Sequence, residues 1–140
     1  MTQIAFILLC HKDPDGVIAQ TLRLTAAGDC VAIHFDGRAA TADFNRIRAA
    51  LAGNRQVTFT RRRIRCGWGE WSLVAATLEG LKAAVEAFPG ATHVYMLSGD
   101  CMPIKTAEYI RGRLEREDVD YIESFDFFGS DWIKTGIKEE

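Results

Sequence analysis

The sequence has no excess of either charge. Seventeen Lys and Arg stand against nineteen Asp and Glu, a formal net charge of -2, so there is no overall basic footprint for nucleic acid. Cysteine is sparse and scattered: Cys10, Cys30, Cys66 and Cys101 contain no Cys-x-x-Cys pair. That spacing fits neither a disulfide scaffold nor a zinc site, and 140 residues can build a core without crosslinks, so reduced thiols are expected. Long apolar runs are missing as well. The run Ile4–Cys10 is too short to span a bilayer and has neither a basic flank nor a small-residue cleavage site. No transmembrane segment is expected, and the reading is a cytoplasmic protein, peripheral at a membrane at most. Phosphate-loop glycines are absent, with no Gly-x-Gly-x-x-Gly after the first apolar run and no Gly-x-x-x-x-Gly-Lys-Ser/Thr. No Ser-His-Asp or Cys-His arrangement is legible. There is no internal repeat, low-complexity stretch or linker, and one domain spanning 1–140 is expected.

What is present alternates between two periods. The continuous apolar run Ile4–Cys10 reads as a strand buried on both faces. Asp13-Pro14-Asp15-Gly16 breaks it and starts a helix over 17–27, with Val17, Ile18, Leu22 and Leu24 apolar and Gly28 as the stop. Cys30–Phe35 reads as a second strand. Thr41–Leu51 reads as a helix capped by Thr41, with Phe44, Ile47, Ala50 and Leu51 on one face. A short third strand follows at 57–60. The longest helix is expected over 71–88, with Leu73, Val74, Thr77, Leu78, Leu81, Ala84, Val85 and Phe88 as its buried stripe. A fourth strand is expected at 93–97, a helix at 106–116 capped by Thr106 with Glu108 and Glu115 outward, and a fifth strand at 120–124. The order implies an α/β fold: a mostly parallel sheet with helices on both faces. The remainder, 125–140, is aromatic and charged without a clear period.

Polar residues cluster where strands end. They are His11 after the first, Asp36 after the second, Arg61, Arg62, Arg63 and Arg65 after the third, and Ser98, Gly99 and Asp100 after the fourth. In a parallel sheet these ends share one rim. Acids there can accept hydrogen bonds from a ribose or a base, and arginines can hold phosphates in bidentate fashion. Solvated loops would give the same polar rim, so the pattern alone leaves a nucleotide site and ordinary loops both open. The basic run lacks the interleaved aromatics of an RNA platform. Asp13-x-Asp15 and Asp118-x-Asp120 have the look of divalent-metal pairs but read more simply as turn and surface residues. His34 reads as a satisfied core histidine. Cys101 reads as a small packing residue with nothing near it to lower its pKa. Trp68 suits stacking on a sugar or anchoring of the long helix, and Trp71 reads as core.

Four segments, IAFILLCHKDP, VAIHFDGRA, RCGWGEWSLVAATLEGL and HVYMLSGDCMPIKT, together resemble the core-2/I-branching glycosyltransferase family in order and content. That family includes β-1,6-N-acetylglucosaminyltransferases and peptide O-xylosyltransferases, and the chain looks most like its bacterial branch. They cover most of residues 4–106, and the last two are the more specific. The resemblance implies a glycosyltransferase-A fold, whose Rossmann-like half binds a UDP-sugar. It implies transfer of N-acetylglucosamine or xylose to a glycan or protein hydroxyl with inversion, a carboxylate base, no metal or other cofactor, and Arg or Lys on the leaving diphosphate.

Carried over by position, Asp36 looks like the residue that holds the uridine. His11, Arg38, Arg65, Ser98 and Gly99 fall in the same nucleotide-sugar region, Trp68 is a stacking residue, and Asp100 belongs to the donor–acceptor cleft as the candidate catalytic carboxylate. The family's acid commonly stands two residues before the proline, where this chain has Cys101. Family enzymes also continue well beyond this length, so the chain reads as the amino-terminal part of a longer enzyme. The alternatives are a non-catalytic nucleotide-binding module and an interaction domain using the aromatic stretch 125–132.

Overall fold

A computed structural model describes residues 2–117, 119 and 120. The strands are β1 (Ile4–Cys10), β2 (Cys30–Phe35), β3 (Val57–Phe59) and β4 (His93–Ser98). The helices are α1 (Pro14–Ala26), α2 (Thr41–Leu51), α3 (Trp71–Ala87) and α4 (Ala107–Glu117). All pairings are parallel, in the order β3-β2-β1-β4. This is an α/β Rossmann-like sheet. The expected strand at 120–124, apart from Asp120, lies outside the described residues, as do Asp118 and the stretch 125–132.

The centre of the sheet explains its apolar strands. All six residues of β2 are buried, and β1 is nearly so. Ile4, Phe6, Leu8, Val31, Ile33 and Phe35 face one core with Val17, Leu24, Ile47 and Leu51, against which Ile110 and Leu114 of α4 also pack. Ala5, Cys30 and Ala32 face the other core with Ala83, Ala84 and Phe88. Helices α1, α2 and α4 therefore cover one face and α3 the other. No helix among the described residues is long and apolar enough to cross a membrane.

Helix α3 corrects the expected stripe. Its buried residues are the small ones, Ala76, Gly80, Ala83 and Ala84. A Cβ on Gly80 would sit 2.3 Å from Ile7 Cγ2, so the helix lies too close to the sheet for a larger residue. Val74, Leu78, Leu81 and Val85 are exposed instead, as is Trp71, for which a core place was expected. Thr77 touches Met96 of the edge strand β4, so this apolar flank lies toward that edge.

Other details differ for local reasons. Leu22 is exposed, and α1 buries Thr21 and Thr25, whose hydroxyls donate to Val17 O and Thr21 O. Thr41 is not a cap: Ala40 holds that position and offers no side-chain acceptor. Ala50 is exposed. Thr106 does cap α4, accepting from Tyr109 N at 3.2 Å. Gly28 does end α1, at φ 91. Glu115, although exposed, accepts from Thr2 N at 3.1 Å, which holds its carboxyl below the usual range. Buried Asp29 accepts from Ile4 N and pairs with Arg111 at 2.9 Å, tying α4 to the start of β2.

Candidate functional site

The first three strands step in one direction and β4 returns to the far side of β1, so the order reverses between β1 and β4. In open α/β sheets ligands bind outside the strand carboxyl ends at such a point. Two hollows lie there. A cleft of ≈ 400 Å³ is lined by His11, Asp36, Arg38, Ala39, Cys66, Gly67, Trp68 and Leu73, within the range of small-molecule sites. A hollow of ≈ 40 Å³ is lined by Leu9, Cys10, His11, Lys12, Ser98, Gly99 and Asp100. His11 lines both, so they adjoin.

Asp36 organises the larger cleft. It is 9% exposed. One carboxylate oxygen accepts from Arg38 N at 2.6 Å and the other from Cys66 N at 3.2 Å. The carboxylate thus joins the loop after β2 to the segment leading to α3. Two more bonds stitch the same loops: Ile64 N donates to His34 Nε2 at 2.9 Å, and Gly37 N donates to Ile64 O at 2.9 Å. A Cβ on Gly37 would fall 2.5 Å from Arg63 O, so only glycine allows this approach. His34 is the satisfied core residue expected, and burial pushes its pKa down.

Trp68 projects from a turn closed by Glu70 N to Gly67 O at 3.2 Å, with Gly69 at φ 72. Gly67 N donates to Ser72 Oγ at 2.9 Å. The indole is 98% exposed, which removes the anchoring role and leaves its face open at the cleft wall. Cys66 borders the same cleft, its thiol pushed up to about 11 by burial and by Asp36.

The arginine run divides. Arg63 donates to the carbonyls of Phe35, Asp36 and Ala39 and lies 4.5 Å from the Phe44 ring centroid, so it is a structural staple. Arg61 pairs with Glu86 and Arg62 with Glu79. Arg63 is thus committed to the fold, and none of the three lines either hollow. Arg65 lines neither hollow. Arg38 is the arginine at the cleft, and its guanidinium forms no ion pair among the described residues.

At the β4 end, Asp100 pairs with Lys12 at 3.2 Å. Cys101 is exposed rather than packed, and Ser98 Oγ, 3.1 Å from its sulfur, lowers its pKa, contrary to expectation. Asp13 caps α1 through Gly16 N and Asp15 pairs with Arg46, so each has a structural use.

The structure therefore brings His11, Asp36, Arg38 and Trp68 around one cleft and places Ser98, Gly99 and Asp100 beside it. It leaves Arg65 out. Lys12, Ala39, Cys66, Gly67 and Leu73 were not singled out from the sequence as lining residues. Only Lys12 carried a usable signal, a cation next to His11 at a strand end.

The sequence model of one family, described as Core-2/I-Branching enzyme, matches residues 4–137. No curated protein matches the chain.

Proposed function

The chain belongs to the Core-2/I-Branching enzyme family, a family of glycosyltransferases, and from that membership we propose that it is the donor-binding part of a UDP-sugar transferase. The observation that carries this reading is the cleft at the β1 and β2 ends, where acid, imidazole, guanidinium and an open indole face converge. The uracil and ribose lie between the Asp36 loop and the segment 66–68. Trp68 stacks on an apolar ring face. Arg38 supplies positive charge to the diphosphate.

In the reaction, a carboxylate takes the proton of an acceptor hydroxyl on a glycan or protein. The hydroxyl oxygen forms a bond to the anomeric carbon as the bond from that carbon to the diphosphate oxygen breaks. UDP leaves with the bonding pair, and the configuration inverts. Our candidate for this carboxylate is Asp100, which lines the small hollow beside the cleft. Cationic side chains rather than a metal balance the leaving charge. The sugar is N-acetylglucosamine or xylose.

Calorimetric titration of the chain with UDP, with and without manganese, tests the reading. Binding unaffected by manganese is expected. Binding that requires manganese overturns the metal-independent part, and no binding at millimolar UDP overturns the donor site. Binding of UDP-sugars without transfer or donor hydrolysis selects a nucleotide-binding module instead.

A further inference from the structure

The small hollow lies where the strand order reverses, and its wall is unusually well fixed. Gly99 N donates to Leu9 O at 2.9 Å, locking the end of β4 onto β1. A Cβ on Gly99 would lie 2.9 Å from Cys10 Cβ, so the turn needs glycine. Cys101 N closes the turn onto Ser98 O at 3.1 Å. From below, Gln20 of α1, 3% exposed, donates Nε2 to Ser98 O at 3.2 Å and also to Cys101 O. Both ends of the turn are thus held by one buried amide, and Asp100 stands on a rigid support.

That rigid carboxylate holds a flexible cation. Lys12 Nζ lies 3.2 Å from Asp100 Oδ2, across the hollow from β1 to β4, with both side chains more than half exposed. An exposed ion pair contributes little to stability, so Lys12 is easily drawn to a stronger anion. The neighbouring carboxylates do not compete: Asp13 is turned onto Gly16 N, and Asp15 is paired with Arg46. A nucleoside diphosphate whose base end lies by Asp36 and Trp68 runs past His11, which lines both hollows, and reaches Lys12 next.

We infer that Lys12, parked on Asp100 in the free protein, is a diphosphate-binding cation at the β1–β4 switch point. This rests on the donor-site reading above and adds a residue and an exchange to it. Phosphate oxygens take Lys12 from Asp100, which releases the Asp100 carboxylate beside the sugar. No covalent bond changes in the exchange. Gln20 is the positioning residue that keeps the turn, and hence Asp100, in place.

The test compares uridine, which lacks phosphate, with UDP, by calorimetry on the whole chain. Lys12→Met is expected to weaken UDP binding about tenfold, the scale of one charge-assisted hydrogen bond, and to leave uridine binding within about twofold. Asp100→Asn removes the competing carboxylate and is expected to strengthen UDP binding about twofold, the scale of an exposed ion pair. Loss of UDP and uridine binding together in Lys12→Met, or no loss of either, overturns the assignment. So does UDP binding weakened by Asp100→Asn as much as by Lys12→Met, the result for a structural pair. If the unaltered chain binds uridine and not UDP, this assignment fails while a nucleoside cleft stands. If it binds neither, the donor-site reading fails first.

Discussion

The amide of Ile64 donates to Nε2 of His34 across 2.9 Å, joining a loop with no strand pairing to the buried heart of β2. The bond needs an unprotonated Nε2, because a backbone N–H has no lone pair to offer. The cleft depends on it indirectly, since the segment that follows supplies Cys66 N to Asp36 and then Trp68. Sequence distance hides such a link, but the chemistry of a buried imidazole makes it demand a partner.

Acid titration should reveal this bond. Burial lowers the His34 pKa below its ordinary 6.5, opposed by Asp36 and Glu79 and aided by Arg63. A depressed folded pKa means that the unfolded chain takes up the proton first. The stabilisation is therefore complete above about pH 6.5 and is lost as pH falls through the lower folded value. His34→Gln, which offers an acceptor oxygen near the Nε2 position and does not titrate, is expected to flatten that part of the profile. His34→Ala orphans the Ile64 amide and should cost about 1–3 kcal/mol at neutral pH. Urea unfolding from pH 5 to 8 reads both, and an undiminished acid slope in His34→Gln would remove His34 as its source.

Helix α3 invites a test against its own sequence pattern. Hydrophobic periodicity selects Val74, Leu78, Leu81 and Val85 as core, but these side chains are exposed and the sheet takes the small face. Gly80→Val drives methyl groups into Ile7 and is expected to destabilise by about 1–3 kcal/mol or more. Leu78→Ser, at a side chain that is 52% exposed, should change stability by about 0.5 kcal/mol or less. Chemical denaturation of both variants decides it. The opposite ranking would mean that the large stripe is buried in the protein in solution.

Periodicity and chain breaks made most of the fold legible. Ile4–Cys10 is apolar throughout, and Cys30–Phe35 is so apart from His34, because both faces are covered, and Gly28 stops α1 because the chain turns there at positive φ. The direction of α3 was lost because close helix–sheet approach selects small residues, while an apolar-stripe argument weights large ones. Buried Asp29 was equally hidden, since its partners Ile4 N and Arg111 come from distant parts of the chain. At the site, the rim residues His11, Asp36 and Asp100 were readable from their places at strand ends. The division of the arginines was not, because Arg63 is set apart by three carbonyls and a ring rather than by its sequence neighbours.

Asp36 is where fold and proposed chemistry meet, and it should fail in both respects when altered. Each of its carboxylate oxygens already accepts one backbone amide, from Arg38 and from Cys66, and each has a further lone pair for a ligand. Asp36→Ala leaves two amides without their acceptor and should lower stability by about 1–3 kcal/mol. It should also weaken UDP binding by about 1–3 kcal/mol, and uridine binding by a similar factor, because the proposed contact is to the nucleoside end. Asp36→Asn keeps one acceptor oxygen but turns an N–H group toward one of the two amides, so its stability should fall between the parent and Asp36→Ala. The ratio of UDP to uridine affinity separates this residue from Lys12: it should stay constant for Asp36→Ala and fall for Lys12→Met. A folded Asp36→Ala chain that binds UDP as tightly as the parent would take the nucleotide out of this cleft altogether.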